Sequence, residues 1–379
     1  MLFLFHTPVS TAYAMTRLKS TFAMAGARVT GAMSKVHFGF TDLEGRTPGD
    51  VPDGLGGVHR IPWGDLSLSQ EGRERLMTVA REHGIRTLVG FDLRPENPVH
   101  GAAREAGVRH VVAYFGAPMS SPNSGLKLVL KRLEIRFRWK AADRYVFESE
   151  AMRESAVRGR GVPSERTVVV PLGVDLERYY PVTGSRMLPP DLGIPQDRFV
   201  VVFSGHVEPR KGVWVLVNAI QYLVEELGDR RFHLLVCGNE GDEAAPYHAQ
   251  LEGGEAQNHV TFAGYREDMP DLMRNAHAGA IASTGWDSFT VSSVEMMASG
   301  LPLLVSDLQG LSETVEHGAS GYLFPPGDHR ALANYLRDLA GDRSLLEAMG
   351  VAARQRAEGQ FGEDLHVERL AAALTFSAR

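Results

Sequence analysis

The sequence predicts an α/β protein made of two doubly wound domains that face one another across a ligand cleft. Three observations predict it. Apolar runs of strand length alternate with helix-length segments through both halves, the pattern of parallel sheets covered by helices. A stretch holding Pro171, Pro181, Pro189, Pro190 and Pro195 separates the two series. The run from Ser204 to Gly212 stands between a strand pattern and a helix pattern, where such folds bind ligands at the carboxyl ends of their strands.

The first series opens on Leu2, Phe3, Leu4 and Phe5, read as a core strand over 2–6. With Ala12-Tyr13-Ala14 it faintly imitates a secretion leader. No basic region precedes it and the apolar run is too short. Further strands are expected at 36–40, 58–61, 87–89, 108–113, 145–147 and 168–170. Amphipathic helices are expected at 11–25, 69–83 and 126–140. The boundary falls near 175, giving a first domain over 1–175 and a second over 176–355. The second series has strands at 199–204, 232–237, 260–262, 279–282, 303–305 and 322–324. Its helices lie at 213–227, 269–276, 291–299, 330–339 and 344–359, with a last one near 364–374.

Composition bounds the function. A chain of 379 residues with 44% hydrophobic content buries large cores in two domains. A net charge of -6 argues against a general nucleic-acid binder. The single cysteine, Cys237, excludes an intramolecular disulfide and a cysteine metal cluster, and its apolar neighbours mark it as a buried small residue. No run approaches 18 apolar residues, so a cytoplasmic protein without a membrane span is expected.

Two segments carry chemistry. In Ser204-Gly205-His206-Val-Glu-Pro-Arg210-Lys211-Gly212, glycine lets backbone approach a phosphate, and a helix start adds amides with partial positive charge. Arg210 and Lys211 add full charges, each attracting a phosphate charge by roughly 4 kcal/mol at about 4 Å and an effective dielectric of about 20, before desolvation. The plain alternative is a surface turn with two solvated cations. In Gly285 to Pro302, Asp287 stands in a loop and Glu295 on the helix that follows. One carboxylate suits ribose hydroxyls, the other a transferring sugar, and the amides from Phe289 through Thr290 and Val291 to Ser292 suit a diphosphate. Glu295 as an ordinary surface residue is the competing reading, weakened by Met296, Met297 and Ala298 beside it. Gly300 ends that helix. Glu313 fits a cleft residue and a first-turn acid equally well.

The order of these motifs resembles family-four glycosyltransferases of the GT-B fold, with two Rossmann-like domains. The likeness rests on Val170-Pro-Leu-Gly-Val-Asp175, Tyr180-Pro181, Phe203-Ser-Gly205 through Lys211-Gly212, and Val260-Thr-Phe-Ala-Gly264. It continues in Asp287 through Gly300 and in Glu313-Thr-Val-Glu-His-Gly-Ala-Ser-Gly321, covering roughly 140–330. The resemblance implies a nucleotide-diphosphate sugar donor, retention of anomeric configuration, and neither a metal nor a further cofactor. It gives Lys211 the diphosphate, Glu295 the ribose and Asp287 the donor-sugar hydroxyls. It sets Tyr265 and Arg266 near the base, with Gly238 and Asn239 lining the donor cleft. It also implies that the chain beyond about 355 (about 356–379) returns to the first domain. The sequence departs from the family where Asp287 replaces glutamate, His206 replaces arginine, Thr290 replaces glycine and Phe115 replaces a histidine near the acceptor.

The acceptor is expected on the first domain, at loops that follow strands: His6 and Thr7, Asp92 and Glu96, Tyr114, and Glu148. The acids, Glu150 included, suit a cationic acceptor; as solvated loop acids they would have no role. The stretch from Tyr114 to Leu128 is similar to enzymes of aminoglycoside-antibiotic pathways. That likeness implies a UDP-sugar donor of N-acetylglucosamine or glucose and the aminocyclitol 2-deoxystreptamine as acceptor. Two alternatives stand beside it. The basic helix 126–140 has an apolar stripe of Leu126, Val129, Leu130, Leu133 and Phe137. It fits a membrane surface and a lipid-linked acceptor, or, as preferred, a helix covering the sheet. His206, Asp287 and Thr290 would also suit a non-catalytic sugar-nucleotide-binding partner protein.

Overall fold

The computed structural model describes residues 1–9, 13–43, 50–64, 68–95, 97–119, 123–137, 141–238 and 242–375, without the side chains at 134, 136 and 137. It divides into two units, Met1–Pro171 with the chain from Asp364 onward, and Leu172–Glu363.

In unit 1 the strands are β1 (Leu2–Phe5), β2 (His37–Phe40), β3 (Gly57–Arg60), β4 (Thr87–Phe91), β5 (His110–Phe115), β6 (Arg144–Phe147) and β7 (Thr167–Val169). They form one sheet in the order β3-β2-β1-β4-β5-β6-β7, and every pair is parallel. Strands buried on both faces need apolar residues at every position, and β1 has them. Phe3 and Phe5 stack on Phe22 of α1 (Tyr13–Thr30), and Phe5 also stacks on Phe40. Helix α2 (Gln70–Glu82) starts at Ser69, whose hydroxyl accepts from Gly72 N. Then come α3 (Pro98–Glu105), α4 (Gly125–Phe137) and α5 (Glu150–Arg160), which Ser149 caps in the same way.

Helix α4 corrects an expectation. Its apolar stripe does not cover the sheet: Leu126 is 75% exposed and Leu130 58%, with Val129 and Leu133 also on the outside. Among the described side chains of α4, Ile135 is buried. A Cβ on Gly161 would come within 3.0 Å of Arg132, so α4 rests on backbone at the end of α5. Phe137 belongs to the side chains not described.

Unit 2 repeats the plan. Its strands are β8 (Phe199–Ser204), β9 (Phe232–Cys237), β10 (Val260–Phe262), β11 (Ala278–Ile281), β12 (Leu303–Ser306) and β13 (Gly321–Phe324), in the parallel order β10-β9-β8-β11-β12-β13. Helix α6 (Val213–Gln221) runs into a π turn, Tyr222–Glu226. It is followed by α7 (Ala245–Leu251), α8 (Met269–Asn275), α9 (Val291–Ala298), α10 (His329–Gly341) and α11 (Arg343–Gln360). Cys237 is buried, and burial pushes its thiol up to about 12.

The return to unit 1 starts later than residue 356. Helix α11 stays with unit 2 because Arg354 Nη1 donates to Tyr179 O and Ala298 O, both at 2.7 Å. Gly350 sits where a Cβ would be 2.5 Å from Gly300 O. The change comes within α12 (Glu363–Leu374), whose Ala373 O accepts from Arg144 of β6. Among the described residues no helix is long and apolar enough to cross a membrane.

Candidate functional site

In a doubly wound sheet, ligands bind where neighbouring strands send their crossovers in opposite directions. That point lies between β8 and β11 in unit 2 and between β1 and β4 in unit 1.

In unit 2 the chain leaves β8 through Gly205 and turns through a 3-10 turn, Pro209–Lys211, before Gly212 opens α6. Gly212 has φ +69°, and a Cβ there would lie 1.7 Å from Ala282 O. Only glycine fits both the backbone conformation and this close approach. The loop after β8 is thereby pressed against the loop after β11, and Thr284 N donates to Arg210 O at 2.8 Å.

This contact assembles a charged cluster. Lys211 Nζ donates to Asp287 Oδ2 at 2.7 Å, and Ser283 Oγ donates to the same oxygen at 2.6 Å. Asp287 is only 5% exposed, so the ammonium and the hydroxyl compensate a carboxylate taken from water. Arg210 lies 3.9 Å from Asp287 Oδ1, is held by Glu208 Oε2 at 2.8 Å, and stacks 4.7 Å from the Trp286 ring centroid. Asp287 and Lys211, given separate tasks in the sequence, are therefore direct partners in the structure.

Thr290 caps α9, its hydroxyl accepting from Ser293 N at 3.3 Å. Val291 is the first helical residue, and the first amides of a helix have no partner within it. Phe289 is buried edge-on against Phe361, with centroids 5.0 Å apart. Glu295, in the second turn of α9, is 4% exposed and so is no surface residue. His206 is exposed.

Beyond β8 and β9 the sheet continues as glycine backbone. Gly205 N donates to Cys237 O at 3.0 Å and Gly238 N to Gly264 O at 2.9 Å. A Cβ on Gly238 would fall 1.9 Å from Gly205 O. With no side chain at either glycine, the strand ends present backbone that a ligand can approach closely. Asn239 lies outside the described residues. Tyr265 is exposed, and Arg266 is forked by Asp268 at 2.8 and 2.6 Å and by Asp191 at 2.7 Å. Those hydrogen bonds hold the guanidinium above its ordinary pKa. Sequence reasoning missed Ser283, Glu208 and Trp286. The signal for Ser283 was available, since it follows β11 as Gly205 follows β8.

Unit 1 presents a different set. His6 follows β1, is exposed, and its Nδ1 donates to Phe91 O at 3.1 Å. Thr7 offers its carbonyl to Thr41 N at 3.0 Å. Asp92 follows β4 with φ +52°, uncommon outside glycine. Its Oδ1 accepts from Gly116 N at 2.9 Å and Ala117 N at 3.2 Å. Burial pushes its carboxyl up to about 6, against the pull of those amides and of His6. Tyr114, fully buried in β5, donates to Glu148 Oε1 at 3.1 Å. Burial, then the adjacent carboxylate, drives the phenol well above its ordinary pKa. Glu148 follows β6 and is 4% exposed, which overturns its reading as a solvated acid. Glu150, by contrast, is taken by Arg153 at 2.7 and 2.9 Å. Glu96 lies outside the described residues.

Comparison with known proteins follows the same division. Residues 186–356 match the family model described as glycosyl transferases group 1, and residues 51–178 that of Glycosyltransferase Family 4. The D-inositol 3-phosphate glycosyltransferase of Streptomyces avermitilis is 30% identical over 226 residues, 58% of this chain and 48% of that protein. The UDP-Gal:alpha-D-GlcNAc-diphosphoundecaprenol alpha-1,3-galactosyltransferase of Escherichia coli is 27% identical over 249 residues, 64% of this chain and 63% of its own. The chain spans about half the length of the inositol relatives it matches. Among solved structures, Anabaena Alr3699/HepE in complex with UDP has a TM-score of 0.75 at 21% identity, covering 99% of both chains. The glycosyltransferase from Rickettsia africae ESF-5 has a TM-score of 0.80 at 16% identity, also covering 99% of both.

The fold these likenesses define is GT-B, two Rossmann-like units in one chain. Residues 186–356 are similar to the glycosyl transferases of group 1 and residues 51–178 to Glycosyltransferase Family 4.

Proposed function

We propose that this chain transfers a hexose, N-acetylglucosamine or glucose, from a UDP-sugar to a small cationic cyclitol, with 2-deoxystreptamine of aminoglycoside antibiotic biosynthesis as the preferred acceptor. The observation that carries the acceptor is the buried Tyr114–Glu148 pair beside Asp92, at the carboxyl ends of β4, β5 and β6. Buried acids recognise an amine better than a phosphate. The relatives named for D-inositol 3-phosphate support a cyclitol ring. The acidic set favours an aminated one.

Unit 2 supplies the donor machinery. Lys211, released from Asp287 by an incoming diphosphate, neutralises it together with Arg210 and the amides at Thr290 and Val291, while Gly205 and Gly238 leave room for its close approach. Asp287 is then free to accept from donor-sugar hydroxyls, and Glu295 from the ribose. Tyr265 and Arg266 flank the base. The anomeric carbon loses its bond to the β-phosphate oxygen, which keeps the electron pair. The acceptor hydroxyl oxygen forms the new bond on the same face, and its proton passes to the leaving diphosphate. Retention follows from that same-face path. No metal and no further cofactor enters this reading.

The test is a panel of nucleotide sugars against 2-deoxystreptamine and other aminocyclitols, read by product mass. One productive pair supports the proposal. Transfer only to uncharged or phosphorylated cyclitols overturns the acceptor assignment. Absence of both transfer and donor hydrolysis favours the non-catalytic binding protein.

One observation favours a second reading. The exposed Leu126, Val129, Leu130 and Leu133 on α4, interleaved with Lys127 and Arg132, form a basic amphipathic face. A lipid-linked acceptor would use it. Salt-sensitive co-sedimentation with anionic vesicles, together with transfer to a lipid acceptor, replaces the cyclitol reading; no co-sedimentation removes this one.

A further inference from the structure

At the other end of the unit 1 sheet from these loops, three histidines converge. His37 opens β2, His59 is the third residue of β3, and His83 ends α2. In the parallel register His37 pairs with Gly57, and His59 with Gly39. Residues two apart on a strand share a face, so the imidazoles of His37 and His59 project to the same side. His37 Nδ1 and His59 Nε2 are 3.1 Å apart, and the His83 ring centroid lies 4.5 and 5.2 Å from the other two. One nitrogen from each of the three lies within 4.8 Å of the others.

The surroundings make room for this cluster. Gly56 and Gly57 lie directly against it. A Cβ on Gly56 would stand 2.7 Å from His37 Nε2, and one on Gly57 2.8 Å from His59 Nε2. Any side chain at either position would displace the rings. His37 and His59 are buried and His83 is exposed, so the cluster opens to solvent on one side. Burial and the neighbouring histidines lower both inner imidazoles to about 4, which leaves them neutral at physiological pH.

The inner pair has the spacing a metal needs. Two imidazole nitrogens on one ion at about 2.0–2.1 Å stand roughly 2.9 Å apart at a right angle and roughly 3.4 Å apart at the tetrahedral angle. His37 Nδ1 and His59 Nε2, hydrogen-bonded to each other at 3.1 Å, fall between those values, and a nitrogen of His83 within 4.8 Å closes in when the ion replaces the shared proton. Three histidines with an open fourth position suit zinc, nickel or cobalt rather than magnesium or calcium, which take oxygen ligands. Arg75 lies close enough to lower the pKa of His59, and its charge opposes a cation too. Neutral ligands near a positive charge predict modest affinity.

We propose that His37, His59 and His83 form a divalent transition-metal site that clips the end of α2 to the β2–β3 edge of unit 1. The site lies at the opposite end of the strands from the acceptor loops. It stands independently of the proposed function.

The experiment uses the untagged full chain, stripped with a chelator and desalted, then titrated calorimetrically with Zn²⁺ and with Ni²⁺. One saturable site with micromolar Kd, and a higher Tm for the loaded protein, are expected. His83→Ala, at an exposed helix end, is expected to keep the fold and weaken binding at least tenfold. His59→Gln is expected to abolish it. Co²⁺ loading adds a visible absorption band that the His83→Ala protein lacks. Absence of a saturable site overturns the proposal, as does an unchanged Kd in His83→Ala. Should His59→Gln fail to fold, His83→Ala decides alone.

Discussion

The two units share the order of their first six strands, unit 1 adding a seventh, yet place different charged groups at the same topological point. Between β8 and β11, unit 2 sets Lys211 and Arg210 around a single buried carboxylate. Between β1 and β4, and on to β6, unit 1 sets Asp92, Tyr114 and Glu148, with one exposed histidine above them. Topology fixes where a ligand can sit, and side chains decide which ligand does. On the proposed function, one chain uses the same architecture for an anion in one half and for a cation in the other.

The largest effect that breaks this contrast is expected at its backbone foundation. Gly212→Ala forces a methyl into Ala282 O at a positive φ, and should destabilise unit 2 by about 3 kcal/mol or more. The midpoint of urea unfolding measures it. An unshifted midpoint shows that the two loops are not held together here.

Acid comes next. His277 Nδ1 accepts from Val200 N at 3.0 Å, which requires the unprotonated nitrogen. Burial, then Arg186, lowers its pKa from 6.5 to about 4. Burial, then His259 and Arg198, does the same for His233. Between about pH 4 and 6.5 the unfolded chain therefore binds protons that the folded chain does not. The stabilisation is complete above pH 6.5 and is lost as pH falls towards 4, by on the order of 3 kcal/mol for each histidine. A Tm followed over that window should decline, and more gently in His277→Gln.

Lys211→Ala should lower turnover at least tenfold, about 1.4 kcal/mol of transition-state stabilisation, while circular dichroism remains native. An unchanged rate removes Lys211 from the diphosphate. The smallest expected effect sharpens the other half. Glu148→Gln keeps the hydrogen bond from Tyr114 and removes the charge. It should raise KM for an aminocyclitol several-fold and leave KM for the nucleotide sugar unchanged. A shift in the donor KM instead would assign Glu148 to the wrong ligand.

The same contrast explains what could be read from sequence. Unit 2's cations and Asp287 come from two contiguous segments joined to regular strands, so Gly205, Lys211, Asp287 and Glu295 were visible as motifs. The Lys211–Asp287 bond was not, because it depends on Gly212 meeting Ala282, residues 70 positions apart in chain order. In unit 1 the acidic set is spread over three strand ends, and burial of Glu148 depends on Tyr114 from the neighbouring strand. The alternating strands were legible as well, since parallel strands need unbroken apolar runs. Helix α4 was misread because a 3.6-residue apolar stripe reports amphipathicity without saying what faces it. The histidine trio escaped because its members lie 22 and 24 residues apart, with no local spacing to mark them.

The bond from Lys211 to Asp287 also bears on how a reaction cycle would close. A lysine left unattended beside a spent nucleotide would hold on to it. Here the carboxylate competes for the same ammonium, and Ser283 keeps that competitor aimed. On the proposed function, departure of the product restores this ion pair instead of stranding the buried carboxylate of Asp287. Weakening the pair should then slow release of the nucleotide more than its capture.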